Sequence, residues 1–201
     1  MARLSAAGAA VHVVIATRPM APLFNPALLE GLQGEAAEAH NLLGVQSTHF
    51  CDFPAAELDR VGHSKVNAEL VRLIDELQPD TLFIPFAGDL HLDHQLIFLS
   101  SMVAARPRAS KSPSRVLAYE TLSETNWLAP GITPAFIPNL YVDISTTLDA
   151  KVAAFERYAS QVKHFPDERS IEAIRALAQL RGATVYRRAA EAFVLIREIV
   201  G

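Results

Sequence analysis

The sequence predicts an α/β protein: a mostly parallel β-sheet covered by helices on both faces. Three observations carry this. Short apolar runs rich in β-branched or aromatic residues alternate with longer segments of helical spacing, the signature of strands joined through covering helices. One run, "TLFIPF" at Thr81 to Phe86, is apolar throughout, as a central strand buried on both faces should be. The 201 residues are 50% hydrophobic and 20% charged and contain no visible linker, which suits one domain, residues 1–201, around a sizeable core.

Taken in order, "MARLSAAGAA" resembles the last turns of a helix with Gly8 as its stop, leading into a strand at Val11 to Thr17. That N-terminus also has the charge and apolar run of a short signal peptide, but the β-branched stretch from Val11 favours the strand. A helix from Pro26 to Leu43 is stopped by Gly44, and a strand follows at Thr48 to Phe53. The next helix runs from His63 to Leu77 before Pro79, and the strand Thr81 to Phe86 feeds a helix from about Leu92 to Ala105, ended by Pro107. After the polar surface loop "RPRASKSPS" come strands at Val116 to Glu120 and Tyr141 to Ile144. Ser145 or Thr147 caps a helix through Gln161, and Ser170 caps another that runs to about Leu180 before Gly182. The closing "AEAFVLIREIV" reads as a strand or a helix.

Charge narrows the function. With 18 basic against 22 acidic residues the net charge is -4, so no cationic field draws nucleic acid or anionic lipid. No apolar run approaches the roughly 20 residues that span a bilayer. The lone Cys51 forms no internal disulfide, which agrees with a reducing, cytoplasmic setting. Small-molecule substrates fit best; a homo-oligomer is left open.

The most informative stretch is "PFAGDLHLDHQ". His91 and His94 are three residues apart, so they share a side if the helix starts at Asp89 or Leu90, just past the carboxyl end of a buried strand where open α/β sheets gather their ligands. Imidazole binds zinc well, and Asp93 can bind metal or accept the second ring N–H of a histidine. The bland alternative makes Asp89 a helix cap, Asp93 a dipole partner and both histidines surface residues. A catalytic zinc takes three protein ligands and a water, so partners are needed elsewhere. His49 and Cys51 share a strand face but read as packing, His12 reads as packed within its strand, and His40 and His63 read as exposed on helices. His164, in the loop "KHFPDERS", is better placed to approach substrate than to bind metal. The irregular segment Thr121 to Asn139, which holds the only tryptophan, Trp127, is a candidate pocket wall.

Together, "ARLSAAGAAVHVVIATR", "GEAAEAHNLLGV", "PFAGDLHLDHQ" and "AEAFVLIREI" resemble the PIG-L/LmbE-like N-deacetylases over nearly the whole chain. That resemblance implies a Rossmann-like sheet and zinc-dependent removal of acetyl groups from N-acetylated amino sugars or their conjugates. It implies that His94 is a zinc ligand, that Asp93 orients or modulates the site, and that His91 stabilises the oxyanion. It further implies Zn2+ as cofactor and an N-acetylated sugar such as an N-acetylglucosamine conjugate as small-molecule partner.

One departure matters. Members carry a first strand leading into A-H-P-D-D-E, which supplies further zinc ligands and a base, and these 201 residues contain no such motif. Gln33 also stands where the family's helix carries an arginine. The expectation is a chain lacking the first strand, with impaired zinc binding and deacetylation. The alternative is a non-catalytic remnant that binds a sugar-like ligand or a partner protein.

Overall fold

The structure is a computed structural model that describes residues 1–25, 27–107, 112–125, 127–129 and 131–201. Its secondary structure follows the predicted alternation. Helix α1 spans Ala2–Ala6, strand β1 His12–Arg18, helix α2 Ala27–Leu43, strand β2 Ser47–Pro54, helix α3 His63–Leu77 and strand β3 Thr81–Pro85. Helix α4 follows over Leu92–Ala104, then β4 over Arg115–Tyr119, β5 over Leu140–Asp143, α5 over Leu148–Glu156, α6 over Ile171–Thr184 and β6 over Ala190–Glu198. A short 3-10 turn at Leu58–Arg60 had no sequence signal assigned to it. The predicted helix start at Pro26 and part of the loop after Arg106 lie outside the described residues.

The chain divides into two compact units: Met1–Ala55 with Tyr141–Glu191, and Ala56–Leu140 with Ala192–Gly201. In the first, β1 and β2 pair in parallel, with His12 opposite Ser47 and Val14 opposite His49. Gly8 and Gly44 adopt positive φ, as the predicted stops of α1 and α2 require, and Ala39, Leu43 and Ala154 pack together with Val45 and Tyr158. In the second, β3 pairs with β4 in parallel and β4 with β6 antiparallel, so the closing segment is a strand. Its core joins Ile74 of α3, Ile84 of β3, Phe86, Ala105, and Val116 and Ala118 of β4, flanked by Phe98, Met102 and Val194. The sheets are thus mostly parallel and flanked by helices, as predicted.

Three local readings need correction. Helix α6 does not end before Gly182 but runs to Thr184, with Gly182 buried inside it. A Cβ there would sit 2.7 Å from the Arg187 carbonyl oxygen and 2.8 Å from Ala189, so this glycine permits close backbone approach rather than stopping the helix. Helix α5 ends at Glu156, well short of Gln161, and its N-cap Thr147 makes no side-chain capping bond. Ser170 caps α6 as predicted, its hydroxyl accepting the Ala173 N–H at 3.2 Å.

Candidate active site

The second unit places the "GDLHLDH" segment beyond the carboxyl end of β3, beside the turn that leaves β4 at Thr121. In parallel sheets this is where connections are free to carry chemistry, because both strands deliver their chain to the same edge. The helix starts later than the capping alternative required. His91, not Asp89, is the N-cap of α4, and its Nδ1 accepts the N–H of Asp93 at 3.1 Å.

That bond determines the His91 tautomer. A backbone N–H can only donate, so Nδ1 is bare and the neutral ring carries its proton on Nε2. His94 is held the opposite way. Its Nδ1 lies 2.8 Å from Oδ2 of Asp89, and a carboxylate only accepts, so Nδ1 carries a proton and in the neutral ring Nε2 keeps its lone pair. The rings lie stacked, 5.4 Å between centroids and 25° between planes. Two neighbouring imidazoles therefore present complementary chemistry: His91 offers a donor and His94 an acceptor.

Asp89 is fully buried, whereas His94 retains 29% side-chain exposure. The carboxylate is anchored by Thr125, whose hydroxyl donates to Oδ1 at 2.7 Å while accepting the Thr121 N–H at 2.7 Å. Because the Thr125 oxygen already receives a donor, its own proton is directed to Asp89, so the carboxylate accepts from Thr125 on one oxygen and from His94 on the other. The Gln95 side-chain amide donates to the Asp89 carbonyl at 2.7 Å and fixes the backbone at the same point. Burial, and secondarily the negative charge of Asp89, push the Tyr119 phenol at the end of β4 up to about 12, so it stays protonated at neutral pH.

Asp93 faces elsewhere. It is buried, and its carboxylate accepts the N–H groups of Ala56 at 2.8 Å and Leu58 at 3.3 Å, tying α4 to the 3-10 turn. Trp127 is 60% exposed in the segment after β4. His164 is exposed in the first unit, where its carbonyl accepts the Asp167 N–H. The structure thus brings His91 and His94 together and adds Asp89 and Thr125, which sequence reasoning missed as functional residues. Asp89 carried a signal, an acidic residue two before the first histidine, but it pointed equally to a cap. Thr125 is 36 positions away from Asp89 and carried none.

His40 also departs from its reading as an exposed helical residue. It is buried at 6% exposure, with Nδ1 2.7 Å from the Thr48 hydroxyl and Nε2 3.3 Å from the Tyr158 hydroxyl. His12 does have the packed role expected of it, since its Nδ1 lies 2.7 Å from the Ser47 hydroxyl, which in turn lies 2.8 Å from His49 Nε2.

Comparison with known proteins follows the same segment. The family profile described as "PIG-L: GlcNAc-PI de-N-acetylase" matches residues 1–105, just over half of the chain and inclusive of His91 to His94. The chain belongs to the PIG-L family. The conserved protein TT1542 from Thermus thermophilus is similar in structure, with a TM-score of 0.76, 25% identity, and coverage of 100% of this chain and 87% of that one. GalB, the 4-carboxy-2-hydroxymuconate hydratase from Pseudomonas putida, gives 0.75 at 19% identity, covering 100% and 89%. The N,N'-diacetylchitobiose deacetylase from Pyrococcus horikoshii gives 0.73 at 22% identity, covering 97% and 76%. No curated protein matches the chain in sequence. A hydratase and a deacetylase thus share this fold, and activity has to be argued from the site. No helix among the described residues is long and apolar enough to cross a membrane.

Proposed function

We propose that residues 1–201 act as one PIG-L-type domain, an amide hydrolase that removes the acetyl group from an N-acetylated amino sugar or sugar conjugate. The observation that carries this is the complementary pair, an acceptor on His94 beside a donor on His91. Amide hydrolysis needs both at once. The lone pair of His94 Nε2 takes a proton from water as the water oxygen bonds to the acetyl carbon. The carbonyl electrons move onto oxygen, and the His91 Nε2–H stabilises that oxyanion. Asp89 stabilises the imidazolium formed on His94. Collapse breaks the C–N bond, and the proton passes from His94 to the departing amine, leaving acetate and a free amino group. Trp127 is assigned to the substrate side, and Asp93 to holding α4 in place for the two histidines.

Zinc is implied by the family resemblance, and His94 Nε2 is the position from which these residues would hold it. A catalytic zinc takes three protein ligands. Among the described residues no group of three or more His, Cys, Asp or Glu is arranged to hold a metal ion, so this set does not make a zinc centre. No step above depends on one.

The test is acetate release from a panel of N-acetylated amino sugars and conjugates, with His94→Ala as comparator. Release that falls by about 10²- to 10⁴-fold in His94→Ala supports the reading. Equal release by both proteins, or no release from any member, overturns it.

A further inference from the structure

A further group of metal-ligating side chains lies in the first unit, on one face of the β1–β2 pair. Side chains alternate along a strand, so Ser47 and His49 point to the same side of β2, and His12, paired with Ser47, points to that side from β1. Helix α2 takes the other face, where His40 reaches Thr48. The face carrying His12, Ser47 and His49 is only half-buried, and Val14, opposite His49, is 38% exposed.

Both rings aim at a single atom. His12 Nδ1 lies 2.7 Å and His49 Nε2 lies 2.8 Å from the Ser47 hydroxyl oxygen, with the ring centroids 6.3 Å apart. The hydroxyl has one proton, so it donates to one nitrogen and accepts from the other ring. Neither tautomer is fixed by these bonds, and each neutral ring can carry its proton on its far nitrogen and turn a lone pair toward the common point. Ser47 leaves that point by rotation about one bond, from one staggered well to another. The position it vacates faces two imidazole nitrogens held on neighbouring strands. Shortening each distance by about 0.7 Å reaches the metal–imidazole bond length of about 2.0 to 2.1 Å.

From this convergence we infer that His12 and His49 chelate a divalent transition-metal ion, copper(II) by preference, with water at its remaining positions. Two imidazoles with oxygen donors suit a tetragonal copper(II) or nickel(II) site, and copper binds most tightly of the first-row divalent ions. A structural zinc takes four protein ligands, and among the described residues no group of three or more His, Cys, Asp or Glu is arranged to hold a metal ion. The pair shares no residue with His91 and His94, and it stands independently of the hydrolase reading. A bound ion joins β1 to β2 through their side chains and stabilises the first unit by mass action.

The experiment titrates the full chain with copper(II) sulfate, reading affinity by calorimetry and the number of nitrogen ligands from the splitting in the copper EPR spectrum. It is run on wild type and on His94→Ala, which removes the zinc ligand implied by the family resemblance, so that an ion bound by the variant lies elsewhere. The His94→Ala chain is expected to bind one ion through two imidazole nitrogens. Adding His12→Gln or His49→Gln is expected to weaken that ion at least about tenfold and leave one nitrogen, because the second imidazole no longer adds intramolecularly. Ser47→Ala breaks both hydrogen bonds but spares both rings, and it is expected to keep the ion, which a purely structural role for the cluster does not require. No two-nitrogen ion in His94→Ala, an affinity unmoved by His12→Gln or His49→Gln, or loss of the ion in Ser47→Ala overturns the inference.

Discussion

Histidine clusters occur in both units of this protein, and they differ in what is left unbonded. In the first unit His40 has both ring nitrogens committed, to Thr48 and Tyr158, and the Ser47 hydroxyl sits between His12 and His49. These partners are hydroxyl groups, which donate or accept as needed, so they impose no single tautomer. In the second unit each histidine meets a partner of fixed sense, a backbone N–H at His91 and a buried carboxylate at His94. One nitrogen of each ring is locked, and among the described residues the other makes no bond. The first cluster ties strands and helices together, whereas the second leaves a donor on neutral His91 and an acceptor on neutral His94.

Substitutions can break this contrast, and Asp89→Asn should do so most severely. An asparagine can present its NH2 to His94 Nδ1 and favour the wrong tautomer, with turnover expected to fall by about 10³- to 10⁴-fold, the scale of amide-for-carboxylate replacements in Ser-His-Asp sites. His91→Ala removes the donor proposed for the oxyanion together with the cap of α4, and a loss of about 10²- to 10³-fold in kcat is expected alongside about 0.5 to 2 kcal/mol of stability. Steady-state acetate release and a thermal melt separate the two quantities.

Asp93→Ala should act on the fold before the chemistry. It strips the acceptor from the Ala56 N–H and from the buried Leu58 N–H, and a loss of about 1 to 3 kcal/mol is expected in denaturant unfolding. The smallest effect belongs to the first cluster. Burial holds the His40 imidazole below its ordinary 6.5, so the unfolded chain takes up that proton first as pH falls. The resulting stability is complete above pH 6.5 and declines as pH drops from there toward the folded value. His40→Gln should flatten that part of the pH–stability curve and leave acetate release near wild type.

Much of the second unit was legible in the sequence. A fully apolar "TLFIPF", followed by paired histidines and a helical run, is enough to place a strand and a covering helix. But β3 is the end strand of its four-stranded sheet and Phe83 is 38% exposed, so it is not the central strand buried on both faces that its composition suggested. What escaped was long range. The orientation of His94 depends on Asp89 reaching back across the helix start and on Thr125 from the next connection, and no local period records either contact. The apolar run at 190–198 fits strand and helix alike, and antiparallel pairing with β4 decides it. Gly182 misled for the same reason: its neighbours Arg187 and Ala189 come near only after the chain has turned, so a helix stop was the natural local reading. His40 on α2 read as exposed because its buried partners, Thr48 and Tyr158, lie on other elements.

The central claim is the opposite tautomers of two adjacent rings, and imidazole nitrogen NMR on the 15N-labelled chain at mildly basic pH reads it directly. Neutral His94 should carry its proton on Nδ1 and neutral His91 on Nε2, and Asp89→Leu should erase the preference at His94 alone. If both rings show the same tautomer, or if His94 is indifferent to the loss of Asp89, the acceptor and donor assigned here are wrong.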